Sequence, residues 1–165
     1  MATFVGQVWI ERIRHRADIA VEFIQWCDVV WLAVGRMESS KAHTFEGVPP
    51  EKRAIGLKVY EENRDTALTE LLRNAPTAKV AIGWGAGKEY DMARRVGTLA
   101  LEATRTMTRA RKDTWDADRE KAMALIDEAD KVRLALYERL VTAGSLPIVL
   151  GRYRELLLPR IPTLP

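Results

Sequence analysis

Basic side chains recur along one side of the segment from Lys88 to Lys112, which reads KEYDMARRVGTLALEATRTMTRARK. On a helical wheel at about 100° per residue, one group of side chains falls within about 60°. We call this group the basic stripe, and it consists of Arg94, Thr98, Arg105, Arg109 and Lys112. The opposite side is apolar, with Met92, Val96, Leu99, Ala103, Met107 and Ala110. Because arginine and lysine neutralise phosphates without reading base sequence, the stripe predicts contact with a polyanion backbone.

Charge along the chain leaves a second interpretation of the stripe open. Residues 79–112 hold eight basic and three acidic side chains, a net of +5, whereas residues 113–143 hold five basic and eight acidic, a net of −3. The stripe could therefore pair with the acidic helix that follows it. Further candidate phosphate contacts lie beside the stripe and near the N-terminus, at Lys88, Arg95, Arg12, Arg14 and Arg16.

The glycine-rich turn at residues 83–88, GWGAGK, invites comparison with phosphate-binding loops. A Walker loop would need glycine where Ile82 stands and serine or threonine where Glu89 stands. A dinucleotide fingerprint would need a third glycine in place of Lys88. We therefore predict a turn that lets Trp84 pack, with anion binding at the following helix N-terminus as the alternative.

Residues suited to catalysis do not form a recognisable set. His15 and His43 lie in different segments without metal-ligand spacing, and Ser39 and Ser40 lack the context of a nucleophile elbow. Cys27 lies in an apolar helical run, which predicts a buried and inert thiol. We expect a protein that is not an enzyme and that needs no cofactor or metal.

The composition limits which folds and which cellular environments fit this chain. The 165 residues are 47% hydrophobic and 30% charged, which predicts one domain with its own core. Residues 19–34 are the most apolar run, but charged residues interrupt it, so we expect no membrane span. Only four residues are Asn or Gln, and 18 Arg accompany 8 Lys. Amide depletion is typical of proteins from hot environments, although a GC-rich genome would also favour arginine.

Four main helices and a short C-terminal one position these residues. Apolar periodicity and the positions of glycine and proline predict them at residues 8–34, 50–74, 88–112, 115–143 and 147–158. Gly35 is the predicted end of the first, and residues 79–82 are predicted to form a brief strand or an extended connection. The second helix is expected to bury Ile55, Val59, Ala67, Leu68, Leu71 and Leu72. The predicted fold is a single all-α, bundle-like domain over residues 1–165, completed by subunit packing. Its Pro-rich segment 146–165 is expected to dock on the domain or on a neighbour.

The turn Gly83-Trp84-Gly85-Ala86-Gly87-Lys88, leading into Ala93-Arg94-Arg95-Val96-Gly97, resembles one known family. It is similar to the α-helical coat proteins of filamentous and rod-shaped viruses of hyperthermophilic archaea. In that family an aromatic and glycine turn leads into a basic helix, and dimers wrap double-stranded DNA in a helical nucleocapsid. The resemblance implies phosphate contacts by Arg94, Arg95, Arg105 and Arg109, joined by Arg12, Arg14 and Arg16.

The leading hypothesis is a non-enzymatic coat or nucleocapsid subunit whose partners are copies of itself or a paralogous subunit, with a nucleic-acid backbone as a further partner. The alternatives are an adaptor that binds only protein, such as a virion neck or tail component, and a helical small subunit of a ribonucleoprotein complex. The N-terminus lacks the basic-then-apolar order of a signal peptide, so we expect a location in the virion or the cytoplasm.

Overall fold

The computed structural model describes residues 2–73, 75–84 and 87–145, and every regular element within them is helical. The elements are α1 (Ala2–Lys41), a 3₁₀ turn (Ala42–Thr44), α2 (Pro50–Arg73), α3 (Ala75–Trp84), α4 (Lys88–Arg109) and α5 (Trp115–Ser145). The predicted all-α class is confirmed. The helix predicted at 147–158, and the docking segment 146–165 that contains it, lie outside the described residues.

The first helix is longer than predicted. It continues through Gly35 and ends at Lys41. Met37 and Ser40, beyond the glycine, are both buried in the bundle. A glycine inside a helix costs only about 1 kcal/mol relative to alanine, so this packing outweighs it. The predicted helix end at Gly35 was therefore wrong. Within the described part of the chain, no helix is both long and apolar enough to cross a membrane.

The segment predicted as a strand or extended connection, residues 79–82, belongs to helix α3 instead. Short apolar runs do not distinguish a strand from a buried helix, and Val80 is fully buried here. Pro76 stands in the first turn of α3, where its missing N–H would have had no intrahelical partner. Two contacts hold α3 on α1: an ion pair from Lys79 to Glu22, and a hydrogen bond from Arg16 Nε to the Gly83 carbonyl at 3.1 Å.

The four long helices form a bundle in which α1 packs on α2 and α5, while α4 packs on α5 and α2. Its core includes Phe23 and Met37 of α1, Met107 of α4 and Leu136 of α5, each with no exposed surface. Helices α4 and α5 lie antiparallel. Across this pair Arg95 binds Glu128, and Lys121 Nζ lies 3.9 Å from Glu102 Oε1. The chain therefore turns back at residues 110–114.

Helix α2 faces the bundle with a side that only partly overlaps the one predicted. It buries Gly56, Tyr60, Ala67 and Leu71, spaced by four and seven residues. Of the predicted apolar side, Ala67 and Leu71 are buried and Leu68 is half-buried, but Ile55, Val59 and Leu72 are exposed. Gly56 explains the rotation, because a Cβ at that position would lie 2.5 Å from the Cβ of His43. The helix approaches the 3₁₀ turn closely only with its glycine side.

A buried ion pair joins α5 to the first turn of α4. Arg139 Nη2 donates to Glu89 Oε1 at 2.9 Å, and both side chains are at most 3% exposed. Charges removed from water need an opposite partner, and each side chain of this pair provides one for the other.

Candidate polyanion-binding face

The apolar side of α4 packs against the other helices as predicted. All six predicted residues are buried: Met92, Val96, Leu99, Ala103, Met107 and Ala110. Because this side is enclosed by the bundle, the opposite side must face outward. Arg94, Thr98, Arg105 and Arg109 are indeed exposed. Arg94 and Arg109 are 15 residues apart, which is about 22 Å along the helix axis at about 1.5 Å per residue.

The cations around the stripe differ in what they bind within the protein. Arg95 pairs with Glu128 of α5, and Lys112 Nζ donates to the Glu46 carbonyl at 3.2 Å. Arg94, Arg105 and Arg109 make no ion pair within residues 2–73, 75–84 and 87–145. Intramolecular pairing with the acidic helix therefore accounts for Arg95. The side chains of the other three arginines are exposed.

Arg105 and Arg109 line a shallow groove of about 410 Å³ between α4 and α5. Lys121 adds a third cation to this groove, and Glu102 and Asp118 place two carboxylates in it. The groove is therefore cationic by only one charge. Thr98 lies at one end, and its hydroxyl donates to the Arg94 carbonyl at 3.0 Å. The arrangement can bind phosphate oxygens through the arginines, and the acidic neighbours would weaken that binding.

The N-terminal basic residues lie on α1, a different helix from the stripe. Arg12 and Arg14 are exposed there. Arg16 is half-buried and donates to the Gly83 carbonyl, so it links α1 to the end of α3. Lys88 is exposed at the first position of α4.

The glycine turn leads into a helix N-terminus that carries acid in its first turn. Gly87 precedes α4 and makes no side-chain cap, while Glu89 and Asp91 lie in the first turn. The carboxylate of Asp91 thus offsets the positive end of the helix dipole, while that of Glu89 binds Arg139. Anion binding at this terminus is correspondingly disfavoured. Gly85 and Ala86 lie outside the described residues, as does the side chain of Trp84.

The residues considered for catalysis have ordinary surroundings. The Ser39 and Ser40 hydroxyls donate to carbonyls of their own helix, at Gly35 (2.9 Å) and Arg36 (2.6 Å). Cys27 is buried, and burial raises the pKa of its thiol, which keeps it protonated. In the part of the chain that the structure describes, no group of three or more His, Cys, Asp or Glu is placed to hold a metal ion.

Lys41 is a buried cation that sequence reasoning missed. It is 8% exposed, and its Nζ lies 4.5 Å from the centre of the Tyr60 ring. Burial, and secondarily the charge of Arg64, lower the pKa of this lysine. The cation–π contact stabilises the charged form that burial opposes. Lys41 therefore packs against the bundle at the end of α1 and is not available to an external partner.

Two apolar grooves were also missed. The first, which we call the α2 groove, has a volume of about 350 Å³ between the end of α1 and α2. It is lined by Ile55, Val59, Gly56, Ser39, Ser40, Arg36, Lys52 and His43. The second, the α5 groove, has about 270 Å³ between α1 and α5 and is lined by Val21, Ile24, Gln25, Arg133, Leu134 and Tyr137. The sequence did contain a signal for an exposed apolar surface. Helix α2 has apolar residues on two sides, and because only one side can pack on the bundle, the residues of the other side remain exposed.

Comparison with known proteins adds no relative. No family model matches the chain, and no significant similarity to a curated protein or to a solved structure is found.

Proposed function

We propose that this protein is a non-enzymatic structural subunit that assembles with copies of itself and contacts a nucleic-acid backbone through the outward side of α4. The observation that carries the proposal is the orientation of Arg94, Arg105 and Arg109. They project from a helix whose opposite side is fully enclosed, and they form no ion pair within the described residues. A row of arginines along one helix suits bidentate contact with phosphates.

Assembly is supported by the apolar surface that the bundle leaves uncovered. Ile55, Leu72, Leu134 and Val141 are each at least half exposed. Scattered apolar residues are normal on a protein surface, but two of these, Ile55 and Leu134, line grooves. The specific form we propose is a virion coat or nucleocapsid subunit, in line with the resemblance of its glycine turn and basic helix to archaeal viral coat proteins.

The proposal predicts binding to duplex DNA that depends strongly on salt. Three neutralised phosphates release counterions, so log affinity should fall with log salt at a slope of about −2.7. Reversing the charge of all three arginines, in the variant R94E/R105E/R109E, should abolish binding. Fluorescence anisotropy with a short labelled duplex, repeated over a salt series, measures both effects.

The matched control is K58E/R73E/K131E, which changes the net charge equally at exposed positions of α2 and α5. It should retain most of the affinity. Equal loss in both variants would show that net charge, and not the α4 side, governs binding. No binding by the original protein at low salt would contradict the nucleic-acid part of the proposal. Preference for RNA would favour a ribonucleoprotein subunit.

An adaptor that binds only protein is the second candidate. It is favoured by Glu102 and Asp118, which share the groove with Arg105 and Arg109 and would repel phosphates. In this alternative, carboxylates of a neighbouring subunit form ion pairs with the three arginines. The protein would then assemble without binding DNA or RNA, and the charge-reversed variant would lose assembly instead.

A further inference from the structure

The α2 groove lies between two facing helix sides. Its lining residues on each side follow one spacing, i, i+3, i+4 and i+7, which places each set along a single side of a helix. One set is Lys52, Ile55, Gly56 and Val59 of α2, and the other is Arg36, Ser39 and Ser40 of α1 with His43 of the 3₁₀ turn. The groove is therefore a cleft between two helices, which is a shape that receives a third helix.

The surface inside the α2 groove is mainly apolar. Ile55 and Val59 line it and are both exposed. The hydroxyls of Ser39 and Ser40 line the opposite side, but they already donate to carbonyls of their own helix. An occupant that matches this surface has apolar side chains at its centre.

Two contacts show that α1 and α2 run antiparallel along the groove. The Trp26 indole donates to the Glu70 carbonyl at 3.0 Å, and His43 lies so close to Gly56 that a Cβ there would be 2.5 Å from the His43 Cβ. The step from Trp26 to His43 along α1 is therefore a step backwards along α2. Residues that precede His43 and residues that precede Gly56 consequently extend towards opposite ends of the groove.

The arginine and the lysine of the groove lie at those opposite ends. Arg36 precedes His43 by seven residues and Lys52 precedes Gly56 by four. At about 1.5 Å per residue, they are separated by about 16 Å along the groove. Both side chains are exposed, and neither forms an ion pair within the described residues. No acidic residue is among the described residues that line the groove, so the complementary occupant carries carboxylates at both ends.

The α5 groove does not offer the same charge. Arg133 is the only cation among its described lining residues. Its guanidinium is already bound by two carboxylates, Asp28 at 3.2 Å and Asp130 at 2.7 Å. Both grooves expose apolar side chains, and what distinguishes the α2 groove is positive charge that no carboxylate of the described residues neutralises.

We propose that the α2 groove binds an amphipathic helix of a neighbouring subunit, with two carboxylates three turns apart and apolar residues between them. On a helix, positions i and i+11 lie on one side and about 16 Å apart, which matches the separation of Arg36 and Lys52. Apolar residues at i+4 and i+7 then lie over Ile55 and Val59. This inference rests on the assembly part of the proposed function and names the chemistry of the partner that α2 takes.

A designed peptide is the probe. It is a capped, alanine-rich helix of about 20 residues, long enough to be helical in water. It carries glutamates at i and i+11 and leucines at i+4 and i+7, all on one side. A second peptide moves one glutamate two positions along, which places it on the opposite side without changing the composition. In a third, lysine replaces both glutamates.

Fluorescence anisotropy with labelled peptides should show saturable one-to-one binding of the first peptide to the original protein. The displaced glutamate should weaken binding about tenfold or more, because hydrogen bonds between charged groups are the stronger ones. The variant R36E/K52E should lose the glutamate peptide and bind the lysine peptide instead. This reversal cannot come from unfolding, and circular dichroism provides an independent check of the fold.

The matched control is K58E/R73E, which makes the same change of net charge at exposed positions of α2 outside the groove. It should bind the glutamate peptide as the original protein does. The charge-reversed α4 variant R94E/R105E/R109E should bind it too, because the stripe does not line the α2 groove.

Three results would overturn the inference. The first is no saturable binding of the glutamate peptide at low salt. The second is equal binding of the peptide with the displaced glutamate, which would show general attraction to positive charge. The third is equal loss in R36E/K52E and K58E/R73E, which would assign the effect to net charge. Light scattering of the original protein separates this inference from the proposed function: oligomers without peptide binding contradict only the inference, and a monomer that binds the peptide contradicts only assembly with copies of itself.

Discussion

Helices α4 and α2 have nearly the same length but divide their side chains between core and solvent in different ways. Helix α4 buries nine residues along Lys88–Arg109 and turns its arginines outward. Helix α2 buries only Gly56, Tyr60, Ala67 and Leu71 over 24 residues. Four large apolar side chains of α2 remain exposed instead: Ile55, Leu57, Val59 and Leu72.

This difference between α2 and α4 indicates which side chains find their packing partners within one chain. Burying a Val, Leu or Ile side chain stabilises by about 1.5–3 kcal/mol, and the exposed residues of α2 forgo that gain in the single chain. Helix α4 has no such unused apolar area, so its outward side is suited to water or to anions. This difference agrees with the proposed polyanion contact at α4 and the proposed subunit contact at α2, and three sets of substitutions test its structural basis.

The largest effect is expected inside the first turn of α4. Glu89→Ala removes the buried carboxylate that binds Arg139, and with it the buried ion pair between α4 and α5. Breaking a buried pair in this way costs about 3–5 kcal/mol. Urea denaturation followed by circular dichroism should show that loss in the free energy of unfolding.

Glu128→Ala is the matched control, because it breaks the pair with Arg95 on the exposed side of the same two helices. Exposed pairs contribute about 0–1 kcal/mol, so this variant should be close to the original protein. If both substitutions lower the free energy of unfolding equally, water reaches the interior of the α4–α5 contact more than the structure indicates. Helix α4 would then not be enclosed as described above.

A second pair of truncations compares the two helices directly. Met107→Ala removes a fully buried side chain of α4 and should destabilise by about 2–5 kcal/mol, from lost burial and the cavity that remains. Leu72→Ala removes a side chain of α2 that is 72% exposed, and should change the free energy of unfolding by less than about 0.5 kcal/mol. A large loss for Leu72→Ala in the same urea titration would mean that this residue is already covered, and the contrast between α2 and α4 would fail.

The sequence predicted α4 well because one signal dominates it. Its apolar and basic residues separate onto opposite sides with helical spacing, so a wheel alone identified the buried side. The wheel did not identify which arginines bind partners within the protein. The pairing of Arg95 with Glu128 depends on the antiparallel register of α4 and α5, which is a property of tertiary packing.

The sequence was less informative where two signals compete. Gly35 looked like a helix end, but buried residues on both sides of it keep α1 intact. Residues 79–82 were too short an apolar run to identify as helix. The Arg139–Glu89 pair joins residues 50 positions apart, so no local pattern could reveal it. Helix α2 carries apolar residues on two sides, and only tertiary contact decides which side is buried.

Gly56 provides the last and smallest test, because it sets which side of α2 meets the bundle. Gly56→Ala would place a Cβ 2.5 Å from the Cβ of His43, so the 3₁₀ turn must shift. Overpacking of this kind costs about 1–3 kcal/mol, and better helix propensity offsets about 1 kcal/mol of it. Gly35→Ala is the control, since nothing lies within 4 Å of its Cβ position, and it should stabilise by about 0.5–1 kcal/mol. Opposite shifts in melting temperature would support a close approach at Gly56, which turns Ile55 and Val59 outward. Stabilisation by both substitutions would mean that α2 is free to rotate, and its exposed apolar side would then no longer be a fixed surface for a partner.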